Sequence, residues 1–349
     1  MISLGRGLGL IASSAGANSV FAVPLKLRRS FEWENTWALC HLFAMIILPL
    51  LMAAFVLPTW PAAVGAASYS TIAIVMAFGF LWGTGSVAFA IGIDAVGVSL
   101  GYALIMGTVT AVGPTVPMLR RWPQIPFQVR VIFFAGIIVC IVGVAVCGKA
   151  GILREVESGL AKKLTATAST TQAKPIVIGV LWCIASALLS AGNNLGFDFA
   201  DSIGNAAQRQ GANPLFASLS QWIVLYWGSY LAVLTLCGAK MLKTGSWKNY
   251  LGADAGHDSG MAISMGVLHF TCQITYGMGA YYLGRLGTSV GYAILLAGSL
   301  IMANVLGFVM GEWKLASKRS THVLYGGLTV LILGVIILAY SNSLVANLM

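Results

Sequence analysis

Apolar runs of about 20 residues recur from one end of this chain to the other, and that recurrence limits the fold more than any other feature. A helix rises ~1.5 Å per residue, so each run can cross a hydrocarbon layer ~30 Å thick with its backbone groups paired internally. Only 9% of the 349 residues are charged, against roughly 25% in soluble domains, and 58% are hydrophobic. The pattern predicts an all-α membrane protein. It excludes a soluble enzyme, a DNA-binding protein and a secreted domain. The net charge of +10 does not point to nucleic acid. Its basic residues sit in short connections beside the apolar runs, where positive charge holds loops on the cytoplasmic side.

Proline, glycine and charge punctuate ten predicted spans, near residues 4–25, 36–57, 70–92, 97–119, 128–148, 175–197, 214–237, 260–283, 287–310 and 321–342. The first could pass for a signal peptide, but Ser13, Ser14, Asn18 and Ser19 make a poor hydrophobic region and Lys26, Arg28 and Arg29 follow as an anchor. It is read as a retained helix. Odd-numbered connections hold 14 Lys and Arg residues, and the opposite side holds 6. This bias puts the odd connections in the cytoplasm and both termini outside, although Arg120, Arg121 and Arg130 run against it. The longest connection, 149–174, ends in a small, polar run from Leu164 to Ala173 that reads as a flexible cytoplasmic linker. Six cysteines lie inside apolar runs, with no Cys-x-x-Cys and no histidine at ligand spacing, so no disulfide or metal site is expected.

The linker falls near mid-chain, and the sequence repeats across it. Gly97-Val-Ser-Leu-Gly-Tyr-Ala103 matches Gly287-Thr-Ser-Val-Gly-Tyr-Ala293 at five of seven positions. Ser14-Ala-Gly-Ala-Asn-Ser-Val-Phe21 matches Ser190-Ala-Gly-Asn-Asn-Leu-Gly-Phe197 at five of eight. Both matches relate spans one to five (within 1–148) to spans six to ten (within 175–349). Five crossings per copy is odd, so the second copy enters from the opposite side. Two inverted five-helix repeats of this kind are a design of secondary transporters, with the substrate site near mid-membrane at the repeat interface.

Gly79-x-x-x-Gly83, Gly97-x-x-x-Gly101 and Gly287-x-x-x-Gly291 place glycines on one helix face and predict close packing. The last two also contain Gly-x-Ser-x-Gly, around Ser99 and Ser289. That hydrolase motif needs a strand–turn–helix setting, whereas here it opens two membrane helices. An intramembrane serine enzyme is thus the weaker reading. No ATP-binding loop or metal cluster occurs in the sequence, and no cofactor is expected, so energy must come from a solute or ion gradient.

The segments Phe21-Ala-Val-Pro24 with Lys26, Phe31-Glu-Trp-Glu-Asn-Thr-Trp37, Ile47-Leu-Pro49, Trp82-Gly83 and Gly311-Glu-Trp313 resemble the bacterial L-rhamnose–proton symporter family. The resemblance runs in order from about residue 9 to 340. It implies a ten-helix member of the drug/metabolite transporter superfamily that takes up L-rhamnose, or a close deoxysugar, with a proton. A rival within the superfamily is an exporter of amino acids or other metabolites.

A neutral sugar calls for uncharged amides and hydroxyls beside an aromatic wall. Asn18 and its repeat-mate Asn194, with Asn193, Gln273 and Tyr276, meet the first need. Tyr102 and Tyr292 are repeat-related, and Trp82 and Trp222 offer stacking faces. Gln221, Thr275 and Asn304 add further donors and acceptors. Ionisable residues at depth are costly and few. His269 lies about ten residues into the eighth span, one turn before Gln273, and Asp198 follows one turn after Asn194; both are candidates for proton coupling. His41 reads as shallow. Glu32, Glu34, Asp94 and Glu312 read as pairs with Lys or Arg at span ends.

Overall fold

Every regular element described is helical, and no strand occurs among the described residues. The computed structural model describes residues 3–96, 98–157, 176–311, 313–314 and 316–348. Most of the expected linker (158–174), Gly97, Glu312 and the side chains of Asp94, Ser99 and Tyr102 lie outside the described part. Seven helical segments among the described residues are long and apolar enough to cross a membrane: Trp33–Val56, Tyr69–Phe89, Phe127–Arg154, Val177–Arg209, Pro214–Thr244, Ala255–Val309 and Lys318–Val345. Ala255–Val309, at 55 residues, is more than twice one crossing and contains two long helices, Ala255–Leu283 and Tyr292–Val309. Leu4–Val20 and Val98–Val112, of 17 and 15 residues, are shorter than a usual crossing.

Element ends follow local chemistry. Pro214–Thr244 starts with Asn213, whose side chain accepts from the Leu215 backbone N–H, and has Pro214 in its first turn. It stops at Gly245, held at φ 75°, a left-handed conformation that glycine adopts without steric cost. Trp33–Leu42 opens with a capping box between Glu32 and Asn35. Pro49 cannot donate to the Met45 carbonyl and its ring would crowd it. The chain widens just before it into a π turn, Phe43–Ile47, with the Leu48 N–H on the Phe43 carbonyl. Pro114 ends Val98–Val112 about seven residues short of the expected span. Phe127–Glu157 runs nine residues beyond the expected end at 148.

The chain divides into two compact units, each drawing on both sides of the 158–174 stretch. The first comprises Met1–Thr84 and Gly192–Gly291; the second comprises Gly85–Ala191 and Tyr292–Met349.

In the first unit the glycine spacing does what it predicts. A Cβ on Gly79 would strike the Leu225 carbonyl, and one on Gly228 would strike the Met76 carbonyl. The helix Tyr69–Val96 thus meets Pro214–Thr244 backbone to backbone. Gly287–Gly291 forms a π turn where the start of an α-helix was expected. Its Thr288 carbonyl is taken by a side chain, described below, and Gly287 lies against the Ala280 carbonyl where no Cβ fits.

The second unit is organised by the antiparallel pair Phe127–Glu157 and Lys318–Leu348. Gly136 and Gly143 face Leu338 and Leu331, while Gly334 and Gly327 face Cys140 and Cys147. Small residues on each helix therefore receive larger ones from the other at spacings of three and four, as in close membrane-helix packing. This accounts for two of the cysteines as helix-facing residues. Cys183, against Gly92, is a third.

Candidate functional site

The polar side chains within the apolar runs of the first unit converge. Helix Ala255–Leu283 carries His269, Gln273 and Tyr276 at i, i+4 and i+7, one face of a helix. Gln273 Nε2 donates to Asn193 Oδ1 at 3.1 Å. The Tyr276 hydroxyl donates to Asn194 Oδ1, and Asn194 Nδ2 donates to the Thr288 carbonyl at 2.7 Å. Thr288 Oγ1 donates in turn to Asp198 Oδ1 at 2.7 Å. Asn194, Asp198 and Tyr276 are fully buried. Buried polar groups require partners, and the network supplies them across Gly192–Phe199, Ala255–Leu283 and the π turn.

Beside this network runs an aromatic wall. Phe197 stacks on Trp222 with centroids 4.3 Å apart, Trp222 stacks on Tyr226 at 5.5 Å, and Tyr226 approaches Trp82 at 6.2 Å. Trp82 stacks on the His269 imidazole at 5.6 Å and 20°. Phe21 and His41 complete the surround of His269, at 5.5 and 5.7 Å. Trp37 lies 4.9 Å from His41, and its carbonyl is 2.8 Å from His41 Nδ1. A carbonyl only accepts, so Nδ1 is the His41 nitrogen that donates in this contact.

Along one stripe of Pro214–Thr244, at i, i+4, i+8 and i+11, lie Ser218, Trp222, Tyr226 and Ser229. Ser218 Oγ, Trp222 Nε1, the Tyr226 hydroxyl and Ser229 Oγ are buried and have no hydrogen-bond partner among the described residues. His269 Nε2 and Ser289 Oγ share that condition. Such groups cost ~1–3 kcal/mol each when left unmatched, so a row of them marks a place that a polar ligand or water can serve.

Of the candidate residues, the structure gathers Asn193, Asn194, Gln273, Tyr276, Trp82, Trp222, Asp198 and His269 in the first unit. Asn18 belongs to it too: Leu4–Val20 runs antiparallel to Ala255–Leu283. Asn18 lies between Ser14, whose hydroxyl donates to the Cys272 carbonyl at 2.6 Å, and Phe21 beside His269. Gln221 turns instead to the Phe197 carbonyl at 3.2 Å, and Asn304 bonds its own helix at Leu300. Thr275 likewise bonds back to the Thr271 carbonyl. Tyr292 belongs to the second unit, its ring edge against Gly113. The Tyr102 side chain lies outside the described residues.

His41 is only 3% exposed, on the helix from Trp33 ahead of the π turn. Thr288, Tyr226 and Ser218 were missed. Thr288 had a signal, since it replaces Val98 where the two Gly-x-Ser-x-Gly copies differ.

Charged residues near the unit's ends are clasped. Glu34 is buried, accepts from Ser246 Oγ at 2.9 Å and pairs with Lys240 at 3.4 Å, whose ammonium sits 4.5 Å over the Trp33 ring. Glu34 thus forms the pair expected of it. The Asp258 carboxylate accepts the backbone N–H groups of Arg29, Ser30 and Phe31 at 2.9, 2.7 and 2.8 Å, and Asp254 pairs with Arg29 at 3.2 Å. Tyr250 donates to the Asn35 carbonyl at 2.8 Å, and burial pushes its phenol up to about 12. No group of three or more His, Cys, Asp or Glu able to hold a metal occurs among the described residues.

Comparison with known proteins matches residues 2–343 to the model of the L-rhamnose-proton symport protein (RhaT) family. The L-rhamnose-proton symporter of Citrobacter koseri is 25% identical over 347 residues, covering 95% of this chain and 96% of that protein. The symporter of the same name from Cronobacter sakazakii is 26% identical, covering 93% and 94%. The one from Escherichia coli is 24% identical, covering 95% of each. With its apolar helices and its buried amide and aromatic cluster, the chain belongs to the L-rhamnose-proton symport protein (RhaT) family, a family of transporters and not of enzymes.

Proposed function

We propose that this protein takes up L-rhamnose or a closely related deoxysugar across the bacterial inner membrane together with a proton. In this reading it has ten spans in two inverted five-helix repeats, 1–148 and 175–349, joined by a cytoplasmic linker at 149–174, with both termini periplasmic. The sugar contacts Asn18, Trp82, Asn193, Asn194, Gln273 and Tyr276, all of the first unit. The observation that carries the reading is the row of buried, unmatched hydroxyl, indole and imidazole groups beside an aromatic wall and an amide network. A deoxyhexose presents that combination of hydroxyls and apolar C–H faces. Relatives covering nearly the whole chain carry L-rhamnose in their names, and that favours this sugar over amino acids.

His269 carries the coupling proton, with His41 as its neighbour and Asp198 as the second candidate. No carboxylate is among the groups described around the His269 ring. A positive imidazolium there would be met by the face of Trp82, an attraction that desolvation strengthens. At 5.7 Å from His41, a second positive charge would be repelled, so the pair suits a single proton.

The direct test is uptake of radiolabelled L-rhamnose into proteoliposomes under an inward proton gradient. Accumulation that collapses on adding a protonophore is expected. Uptake that ignores the gradient, or that prefers an amino acid, overturns the reading. Asn194→Ala removes the acceptor of Tyr276 and the donor to Thr288, and should weaken L-rhamnose binding by ~1–3 kcal/mol. Unchanged affinity by calorimetry removes the residue from the site.

A further inference from the structure

The three arginines that oppose the Lys/Arg bias gather at one end of the second unit. Arg120 and Arg121 close the short helix Thr115–Arg120 and its turn, and Arg130 lies three residues into Phe127–Glu157. The Arg130 guanidinium sits 4.3 Å over the Trp122 ring and 5.9 Å from that of Phe127. Its Nε is buried and has no partner among the described residues. The sequence has no Asp or Glu from residue 95 to 154, so this stretch supplies no carboxylate to Arg130.

Beside Arg130 is a groove of about 390 Å³ whose other walls are Trp122, Phe127, Val131, Phe134 and Ile138. Phe127, Val131, Phe134 and Ile138 repeat at four and three along one helix face, and the face points outward: Phe127 is 71% exposed and Ile138 61%. From Phe127 to Ile138 the helix rises ~16 Å, about one leaflet of a ~30 Å hydrocarbon core. Tryptophan at the mouth of such a face is a common interfacial anchor.

We propose that this groove holds a single anionic phospholipid. Its acyl chain lies along Phe134 and Ile138, and its phosphate is met by Arg130, with Arg120 and Arg121 adding long-range attraction. Charge complementarity favours this occupant. A helix of a second copy would have to bring its own anion to Arg130, whereas an anionic lipid carries one at the depth where Trp122 sits. The arginines that break the topological bias are then explained as ligands of the bilayer.

The experiment reconstitutes the full chain in phosphatidylcholine nanodiscs containing a small, equal mole fraction of chain-brominated phosphatidylglycerol or chain-brominated phosphatidylcholine. The protein has ten tryptophans, so the Trp122 signal is taken as the difference from Trp122→Phe. Brominated phosphatidylglycerol should half-quench that signal at a mole fraction about five-fold lower than brominated phosphatidylcholine. Arg130→Gln should bring the two together, while Arg130→Lys keeps most of the preference. Equal quenching in the parent protein, or a preference that survives Arg130→Gln, overturns the proposal. Absence of quenching by both lipids, with a dimer by cross-linking, assigns the groove to a second copy and also overturns it.

Discussion

Replacing His269 with glutamine should abolish concentrative uptake of L-rhamnose while leaving exchange of the sugar across the membrane. With one proton per sugar, a pH step of one unit supplies ~1.4 kcal/mol and sustains about ten-fold accumulation. In the variant that ratio should fall to about one. Glutamine keeps a polar tip next to Trp82 but cannot carry the charge that the face of Trp82 would stabilise. The measurement is paired: pH-driven accumulation, and counterflow of labelled against unlabelled sugar in the same vesicles. Accumulation that persists at the parental level shows the proton travels elsewhere, and Asp198→Asn becomes the next variant to assay. Loss of both activities would point to a collapsed aromatic cluster, and His269→Arg, with a fixed positive charge, then separates packing from titration by restoring counterflow alone.

Gly228→Ala should be among the most damaging single-methyl changes at the described glycines. A Cβ at Gly228 would fall on the Met76 carbonyl oxygen, and Gly79 has the reciprocal problem with the Leu225 carbonyl. Neither neighbour is a side chain that can swing away, so the helices must separate along their length. A cost of about 3 kcal/mol or more is expected, at the upper end of what overpacking does. Gly238, on the same helix, has open space around its Cβ position. Gly238→Ala should therefore gain up to ~1 kcal/mol, because alanine is the better helix former. Thermal unfolding of the two purified variants in detergent compares them directly. Equal midpoints would show that the close contact between Tyr69–Val96 and Pro214–Thr244 does not hold this unit together.

Much of the cluster was legible because a polar residue inside an apolar run is conspicuous. Asn193, Asn194, Gln273 and His269 each break a hydrophobic background, and their spacing on one helix face could be counted. Ser218 and Tyr226 could not be singled out in this way, since serine and tyrosine occur in membrane helices for many reasons. What distinguishes them is an unmatched oxygen, which is a property of packing. The burial of His41 depends on contacts with Trp37 and His269 that the sequence does not reveal, and its helix also starts differently. The capping box at Glu32 and Asn35 starts it at Trp33, earlier than the apolar pattern alone suggests. Span limits erred where backbone chemistry intervened: at Pro114, which cut one helix short, and at the π turn before Tyr292, where the Asn194 amide engages a carbonyl. The division into two units, each with pieces of both halves, is a long-range outcome that periodicity does not encode.

All six cysteines are free and buried. Buried thiols in apolar surroundings react poorly with aqueous electrophiles, so the chain is close to a silent background for membrane-impermeant maleimides. A single cysteine placed at an exposed connection, such as Arg209, could be labelled in whole cells without first stripping the native ones. Sidedness and accessibility during turnover can thus be followed on a protein whose own packing is left untouched.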